Sequence, residues 1–310
     1  MKTFTLNTNR SFHERNLNLT IGNFDGIHLG HQSVIKQLTD ISKLHNFQSA
    51  LLSFNPHPRE FFSTFREPFN IITPTFKKDL FEKLGLDIYI NFHFDENLAS
   101  LSPDEFIQLI LVEKLSIKNI ILGADFKFGK DRKGDLFLLK EKAQKYQFNV
   151  SVIKTVIEAN NKQKYSSSII RKNIKSGIFE KVTEALGRHW HMSGKVILGD
   201  QRGQKHGIAT ANLEPGHHIL PLKGVYCVYA FIDSKQHKGI ANFGERPTVD
   251  GTKLLLETHI FDFNGDIYGK ELTVEFLTFI RDEKKFNNFT LLTEQIQKDI
   301  QLAKIYHSKI

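Results

Sequence analysis

Thr20-Ile21-Gly22-Asn23-Phe24-Asp25-Gly26-Ile27-His28-Leu29-Gly30-His31-Gln32-Ser33-Val34-Ile35 decides how the first half of this chain is read. A short apolar strand ends at Gly22, a turn runs through Asp25 and Gly26, and two histidines three positions apart stand where a helix begins. A helix start of this kind is a place to hold an anion, because its first turn carries unpaired N–H groups and the positive end of the helix dipole. Gly30 lies between the histidines, where a side chain would obstruct a ligand approaching the backbone. The imidazoles of His28 and His31 can donate to oxygens that gain charge as a phosphorus centre is attacked. Zinc fits poorly, because no carboxylate or third histidine stands at a familiar ligand spacing.

Outward from this stretch, short β-like runs alternate with helical patterns as far as about residue 153. The spacing predicts strands at Leu17–Ile21, Ala50–Phe54, Asp87–Phe92, Asn119–Leu122 and Asn149–Ile153. Between them, Val34, Leu38 and Ile41 mark one helical face, Phe76, Leu80 and Leu84 a second, and Phe106, Ile110 and Leu115 lie close to a third. Strand alternating with helix predicts a Rossmann-like α/β domain on a parallel sheet, with ligands at the carboxyl ends of the strands. The loops after the first, second and fourth strands carry the distinctive residues, including Asn55-Pro56-His57-Pro58-Arg59 and Gly123-Ala124-Asp125. They are expected to converge on one face. Ser166-Ser167-Ser168-Ile169-Ile170-Arg171 opens a further helix, where hydroxyls and a guanidinium on one turn make a second phosphate clamp; serine is equally the ordinary N-cap.

The 310 residues are long enough for two domains, and the 40% hydrophobic and 25% charged content is an ordinary globular mixture. A formal charge of +8 favours anionic partners, with nucleotides satisfying it as well as nucleic acid does. No arginine-rich tract or aromatic-basic RNA-binding signature is present. Cys227, the single cysteine, lies in the apolar run Val225 to Ile232 and reads as a buried structural thiol. The first ten residues lack the apolar core of a signal peptide and no segment approaches a membrane span, so the expected location is the cytoplasm.

Near residue 187 the pattern changes to strand-like runs: Gly194–Leu198, Val225–Ile232, Gly239–Phe243, Leu254–Phe261 and Leu272–Phe279. Asn264-Gly265 predicts a hairpin between the last two. The expectation is a small antiparallel β-barrel closed by a C-terminal helix with Leu292, Ile296, Ile300 and Ala303 on one face, and domains at 1–186 and 187–310.

Together these residues resemble the bacterial bifunctional riboflavin kinase/FMN adenylyltransferases, also called prokaryotic FAD synthetases, over nearly the whole chain. The resemblance rests on Gly22 to His31, Asn55 to Pro58, Gly123 to Gly129 and Ser166 to Arg171 in the first domain. In the second it rests on Gly203 to Asn212, Gly244-Glu245-Arg246-Pro247-Thr248, Leu256-Glu257-Thr258-His259 and Arg281 to Phe286. It implies two reactions: ATP-dependent phosphorylation of riboflavin to FMN, and joining of FMN to the AMP moiety of a second ATP with release of pyrophosphate. It implies His28 and His31 as transition-state donors, and Glu257 as the base for the riboflavin hydroxyl; without the resemblance Glu257 reads as a solvent-facing strand residue. The implied ATP contacts are Gly22, Phe24, Asp25, Gly30, Ser166, Ser167 and Arg171 in one site and Gly203, Thr210 and Asn212 in the other. The resemblance further implies that Thr210 and Asn212 hold Mg²⁺ and that Asn55, His57, Asp125, Arg246 and Arg281 face flavin.

Where the family usually reads Gly-Arg-x-Leu-Gly-Phe-Pro-Thr-Ala-Asn, this chain has Gly203-Gln204-Lys205-His206-Gly207-Ile208-Ala209-Thr210-Ala211-Asn212. Gln204 removes a fixed charge and Ala209 a restraining proline. These departures leave open an adenylyltransferase whose second domain is a weak or regulatory flavin-binding module. A basic RNA-binding protein on a nucleotide-binding scaffold is the alternative of another class. The expected partners are small molecules, namely riboflavin, FMN and ATP, with no nucleic acid or membrane, and the expected state is a monomer or weak homo-oligomer.

Overall fold

The computed structural model describes residues 1–64, 67–153, 164–198, 209–248 and 251–310. The chain divides into two compact units, Met1–Arg66 with Pro74–Ser166, and Glu67–Thr73 with Ser167–Ile310.

The first unit is a six-stranded parallel sheet of β1 (Lys2–Leu6), β2 (Leu17–Ile21), β3 (Gln48–Asn55), β4 (Ile88–His93), β5 (Ile117–Gly123) and β6 (Asn149–Ile153), in the order β1-β4-β3-β2-β5-β6. Its helices are α1 (Leu29–His45), the short α2 (Pro58–Phe61), α3 (Pro74–Lys83), α4 (Glu96–Ser100), α5 (Pro103–Glu105), which runs into a π-helix at Phe106–Lys114, and α6 (Leu136–Tyr146). All five residues of β2 are buried, as befits a central strand covered on both faces. Leu17, Leu19, Ala50, Leu52, Ile88, Ile90 and Ile120 are wholly inaccessible and form the centre of the core. Each such leucine or isoleucine stabilises the fold by about 1.5–3 kcal/mol. The polar Asn18 is tolerated in this core because its amide donates to Ser42 Oγ at 3.0 Å and its carbonyl accepts from Asn119.

Five of the six strands lie where the alternation places them; β1 is the addition. It pairs in parallel with β4 at the sheet edge, and its Lys-Thr-Phe-Thr-Leu pattern buries only Leu6. The helix faces also shift. In α1 the buried residues are Ile35, Leu38, Thr39 and Ser42, with Val34 and Ile41 half-buried beside them. In α3 Phe81 is the buried residue, and Phe76, Leu80 and Leu84 are half-buried.

The second unit contains α7 (Ser167–Lys175), α8 (Phe179–Leu186), β7 (Trp190–Lys195), β8 (Ala211–Leu213), β9 (Gly224–Ile232), β10 (Lys235–Thr248), β11 (Gly251–Ile260), β12 (Glu271–Asp282) and α9 (Phe289–His307). The strands form one curled antiparallel sheet in the order β7-β12-β9-β10-β11-β8. Its two ends meet where Ile197, just beyond β7, bridges to Asn212 of β8. Helix α9 lays Ile300 and Ala303 on Val225, Cys227, Ile240, Phe261 and Leu277, with Ile296 packed beside them. Cys227 is fully buried and burial pushes its thiol up to about 12, so it is a core residue as its apolar surroundings imply.

The hairpin expected at Asn264-Gly265 is absent. Strand β11 pairs with β10 and β8, whereas β12 crosses to pair with β9 and β7. The tight hairpin is instead β9–β10, turning at Asp233 and Ser234, whose φ values of 49° and 64° fit a two-residue type I′ turn. Asn-Gly here serves a connection that lines a cavity. Segment Glu67–Thr73 is stitched into this unit by Trp190 Nε1 donating to Ile71 O at 2.7 Å, Ile219 N donating to Asn70 O at 2.9 Å and Arg171 Nε donating to Phe69 O at 2.9 Å.

Candidate active sites

Strand β2 ends beside β3, with Gly22 N donating to Leu52 O at 3.1 Å. The chain then reverses through Phe24, Gly26 and Ile27, with φ of 49°, 82° and 42°. Left-handed backbone of this kind is easy for Gly26 and resisted by Phe24 and Ile27, so the turn is held by its surroundings. It delivers His28 to the N-cap of α1, where the ring Nδ1 accepts from His31 N at 3.2 Å. A histidine accepting at Nδ1 carries its proton on Nε2, so the assigned hydrogen bond fixes the tautomer that leaves Nε2 as donor. The His28 and His31 rings stack at 3.6 Å, and Phe24 lies 4.9 Å from His31. Gly30 matters for a reason other than ligand approach alone: a Cβ there would meet the His28 ring at 3.1 Å and Tyr165 Cβ at 3.3 Å. Asp25 is buried within the turn.

The sheet order β3-β2-β5 puts the His57 and Asp125 loops on either side of this turn at the carboxyl edge. Asn55, exposed, ends β3, and His57 caps α2 by accepting from Arg59 N at 3.0 Å. Asp125 is exposed and paired with Lys164, whose hydrogen bond holds the carboxyl below the usual range. Ser166 ends the first unit, while Ser167 and Arg171 lie on α7 of the second, where Arg171 also stacks on Phe69 at 5.0 Å.

In the second unit the register sets Glu257 of β11 directly opposite Asn212 of β8 and Asn242 of β10. Directly opposed residues share a face, with Cβ atoms about 4.5–5.5 Å apart. Asn212 is 4% exposed, so its amide is held rather than solvated. Arg246 pairs with Glu257 and reaches Glu283 at 3.3 Å; the hydrogen bond it donates to Glu257 is the main cause raising the guanidinium pKa. Arg281 does not join them. Its guanidinium forks onto Asp299 at 2.7–3.0 Å, and Asp299 is 2% exposed. Beside Thr210 and Asn212 opens a cavity of about 160 Å³, whose other walls include Thr258, Phe263, Asp266 and Tyr268. The Thr258 hydroxyl is buried there without a partner among the described atoms. Gly203 and the substituted Gln204 lie outside the described residues.

Residues 11–169 match the family model for FAD synthetase, and residues 186–307 match that for riboflavin kinase. The chain belongs to the bacterial riboflavin kinase/FMN adenylyltransferase family. Bifunctional riboflavin kinase/FMN adenylyltransferases of Haemophilus influenzae, Buchnera aphidicola and Escherichia coli K12 are 37%, 39% and 33% identical to it. They align with 93%, 94% and 91% of this chain and 93%, 94% and 90% of their own length. A crystal structure of a macrolide-efflux protein from Streptococcus pneumoniae is 28% identical, covers 98% of this chain and 99% of its own, and superposes with a TM-score of 0.85. Both domains of the family are therefore present, and such enzymes use ATP, generally with a divalent metal. No helix of the described residues is long and apolar enough to cross a membrane.

Sequence reasoning overlooked Lys77, whose ammonium donates to Asn23 O in the turn, and Thr258 in the cavity wall. Lys77 sits in no motif and reaches the turn through tertiary structure alone, whereas Thr258 lies within the Leu256 to His259 motif with no role read for it.

Proposed function

We propose that the second unit phosphorylates the riboflavin 5′-hydroxyl and that the first unit adenylylates the resulting FMN. The functional boundary lies at 186/187. The observation that carries the kinase half is the Glu257–Asn212 opposition, which sets a carboxylate beside a buried amide. A primary alcohol is a poor nucleophile, and a positioned carboxylate that takes its proton contributes about 10²–10⁴-fold. Arg246 fixes the Glu257 carboxylate and has Glu283 as a second anchor when flavin displaces it. Thr210 and Asn212 offer hard oxygen donors, and the orphaned Thr258 hydroxyl adds a polar group to the same cavity, a set that fits Mg²⁺ with the ATP phosphates. When bound, Mg²⁺ would neutralise phosphate charge. The cavity beside Thr210 receives the ATP nucleoside.

In the first unit, the α1 N-terminus and the Nε2–H of His28 face charge that develops on the α-phosphate as FMN attacks and pyrophosphate leaves; His31 stacks on that ring and shares the task. Gly22, Phe24, Asp25 and Gly30 shape the nucleotide turn, Ser166, Ser167 and Arg171 hold the triphosphate, and Asn55, His57 and Asp125 receive the flavin. Arg281 acts on flavin at one remove, by tying β12 to α9 through Asp299. The protein is read as a cytoplasmic monomer or weak homo-oligomer without a nucleic-acid partner.

Purified protein given riboflavin, ATP and Mg²⁺ yields FMN and then FAD by chromatography. FAD from supplied FMN with no FMN from riboflavin would instead select the regulatory second domain that Gln204 and Ala209 suggest. Failure to make FAD from FMN would overturn the adenylyl assignment.

A further inference from the structure

We propose that Lys77 is a positioning residue for adenylyl transfer, holding the Gly22–His28 turn in its anion-binding shape through the Asn23 carbonyl. This rests on the assignment of that turn to the adenylyl reaction. The turn contains two non-glycine residues, Phe24 and Ile27, in left-handed backbone, a conformation their side chains resist. Something outside the turn must hold it, and Lys77 does so from α3, 54 positions along the chain, by donating its ammonium to Asn23 O.

The surroundings show an ammonium aimed inward rather than a solvated helix lysine. Its neighbours on α3, Lys78 and Asp79, are exposed, whereas the Lys77 ammonium lies 5.9 Å from the Phe81 ring. That ring is itself fully buried and meets Phe24 edge-on at 6.2 Å, and Phe24 in turn touches His31. One helix thus grips the turn twice, by a charged hydrogen bond at Asn23 and an aromatic contact at Phe24. The charged group acting on Lys77 from the turn is Asp25, which favours the ammonium. Burial outweighs it and pushes Lys77 down to about 8, so the charge is lost just above neutral pH.

The test uses the full chain, FMN, ATP and Mg²⁺, with riboflavin phosphorylation by the same protein as the internal control. Lys77→Met is expected to raise KM for ATP in FAD formation about 10-fold or more while the KM for FMN and the kinase rate stay within about twofold. Because the protonated form holds the turn, wild-type FAD formation declines as pH rises through about 8. Lys77→Arg keeps a charged donor that does not titrate there; it restores KM for ATP to within about threefold at pH 7 and abolishes the alkaline decline. A Lys77→Met protein with wild-type KM for ATP, or an arginine variant with an unchanged alkaline decline, would overturn the proposal. If methionine disturbs folding, both activities fall together and the arginine pH profile decides alone. Wild-type protein that makes no FAD from FMN at any pH would refute the site assignment instead.

Discussion

The two sites of this chain are built in opposite ways. The first is nearly contiguous: a strand end, a strained turn and a helix cap supply Gly22 to His31 in one run, and the proposed anion holder is the backbone itself. The second has no such run. Asn212, Arg246 and Glu257 come from β8, β10 and β11, with Thr210 just before β8 and Glu283 just after β12, and antiparallel register sets Glu257 opposite Asn212. A site made by local backbone is written in neighbouring letters, whereas a site made by register is written across half a domain.

That contrast can be broken most directly at the two positions proposed to be catalytic. Glu257→Gln keeps the shape and the hydrogen bond to Arg246 but cannot accept a proton, so riboflavin phosphorylation falls by about 10²–10⁴ while FAD formation from supplied FMN is spared. His28→Ala removes the cap and the Nε2 donor, and FMN adenylylation falls by about 10²–10³ with phosphorylation spared. Initial rates of each half-reaction measure both effects.

Stability sharpens the contrast further. Trp190, the only tryptophan, is 1% exposed in the second unit, so its fluorescence reports unfolding of that unit. Arg281→Met leaves Asp299 charged and buried without its fork, and the tryptophan-detected transition weakens by about 3–5 kcal/mol. A smaller effect comes from acid. Burial is the main cause pushing His191 and His218 of this unit down to about 4, against 6.5 for an unperturbed histidine. Folded, they stay neutral while the unfolded chain binds protons, so their stabilisation is complete above about pH 6.5 and is lost as pH falls toward about 4. At pH 5 each costs about 2 kcal/mol, and His218→Leu flattens part of that slope in denaturant titrations followed by fluorescence.

The legibility of the chain follows the same division. Alternating strand and helix gave the parallel sheet, because strands buried on both faces must be apolar runs; β1 escaped since an edge strand burying one residue has no such pattern. The α1 face was read one residue off because Thr39 and Ser42 are buried through hydrogen bonds to Lys36 O and Leu38 O that hydropathy does not register. Asn264-Gly265 suggested a hairpin from local chemistry, but strand order placed β11 and β12 three positions apart in the sheet. The strand end, turn and helix start that carry His28 and His31 were legible in consecutive residues. Glu257 was identifiable only by resemblance, since on β11 it alternates like any half-exposed strand residue, and Lys77 was invisible because its partner lies on another element.

The central claim is that one chain carries two separable sites, and the most direct measurement mixes two inactive halves. Glu257→Gln and His28→Ala proteins are combined with riboflavin, ATP and Mg²⁺, and the flavins are resolved by chromatography. Each variant alone makes no FAD from riboflavin, the His28 variant accumulates FMN, and the mixture restores FAD. A mixture that yields none, with a Glu257→Gln protein that also fails on supplied FMN, would contradict the account.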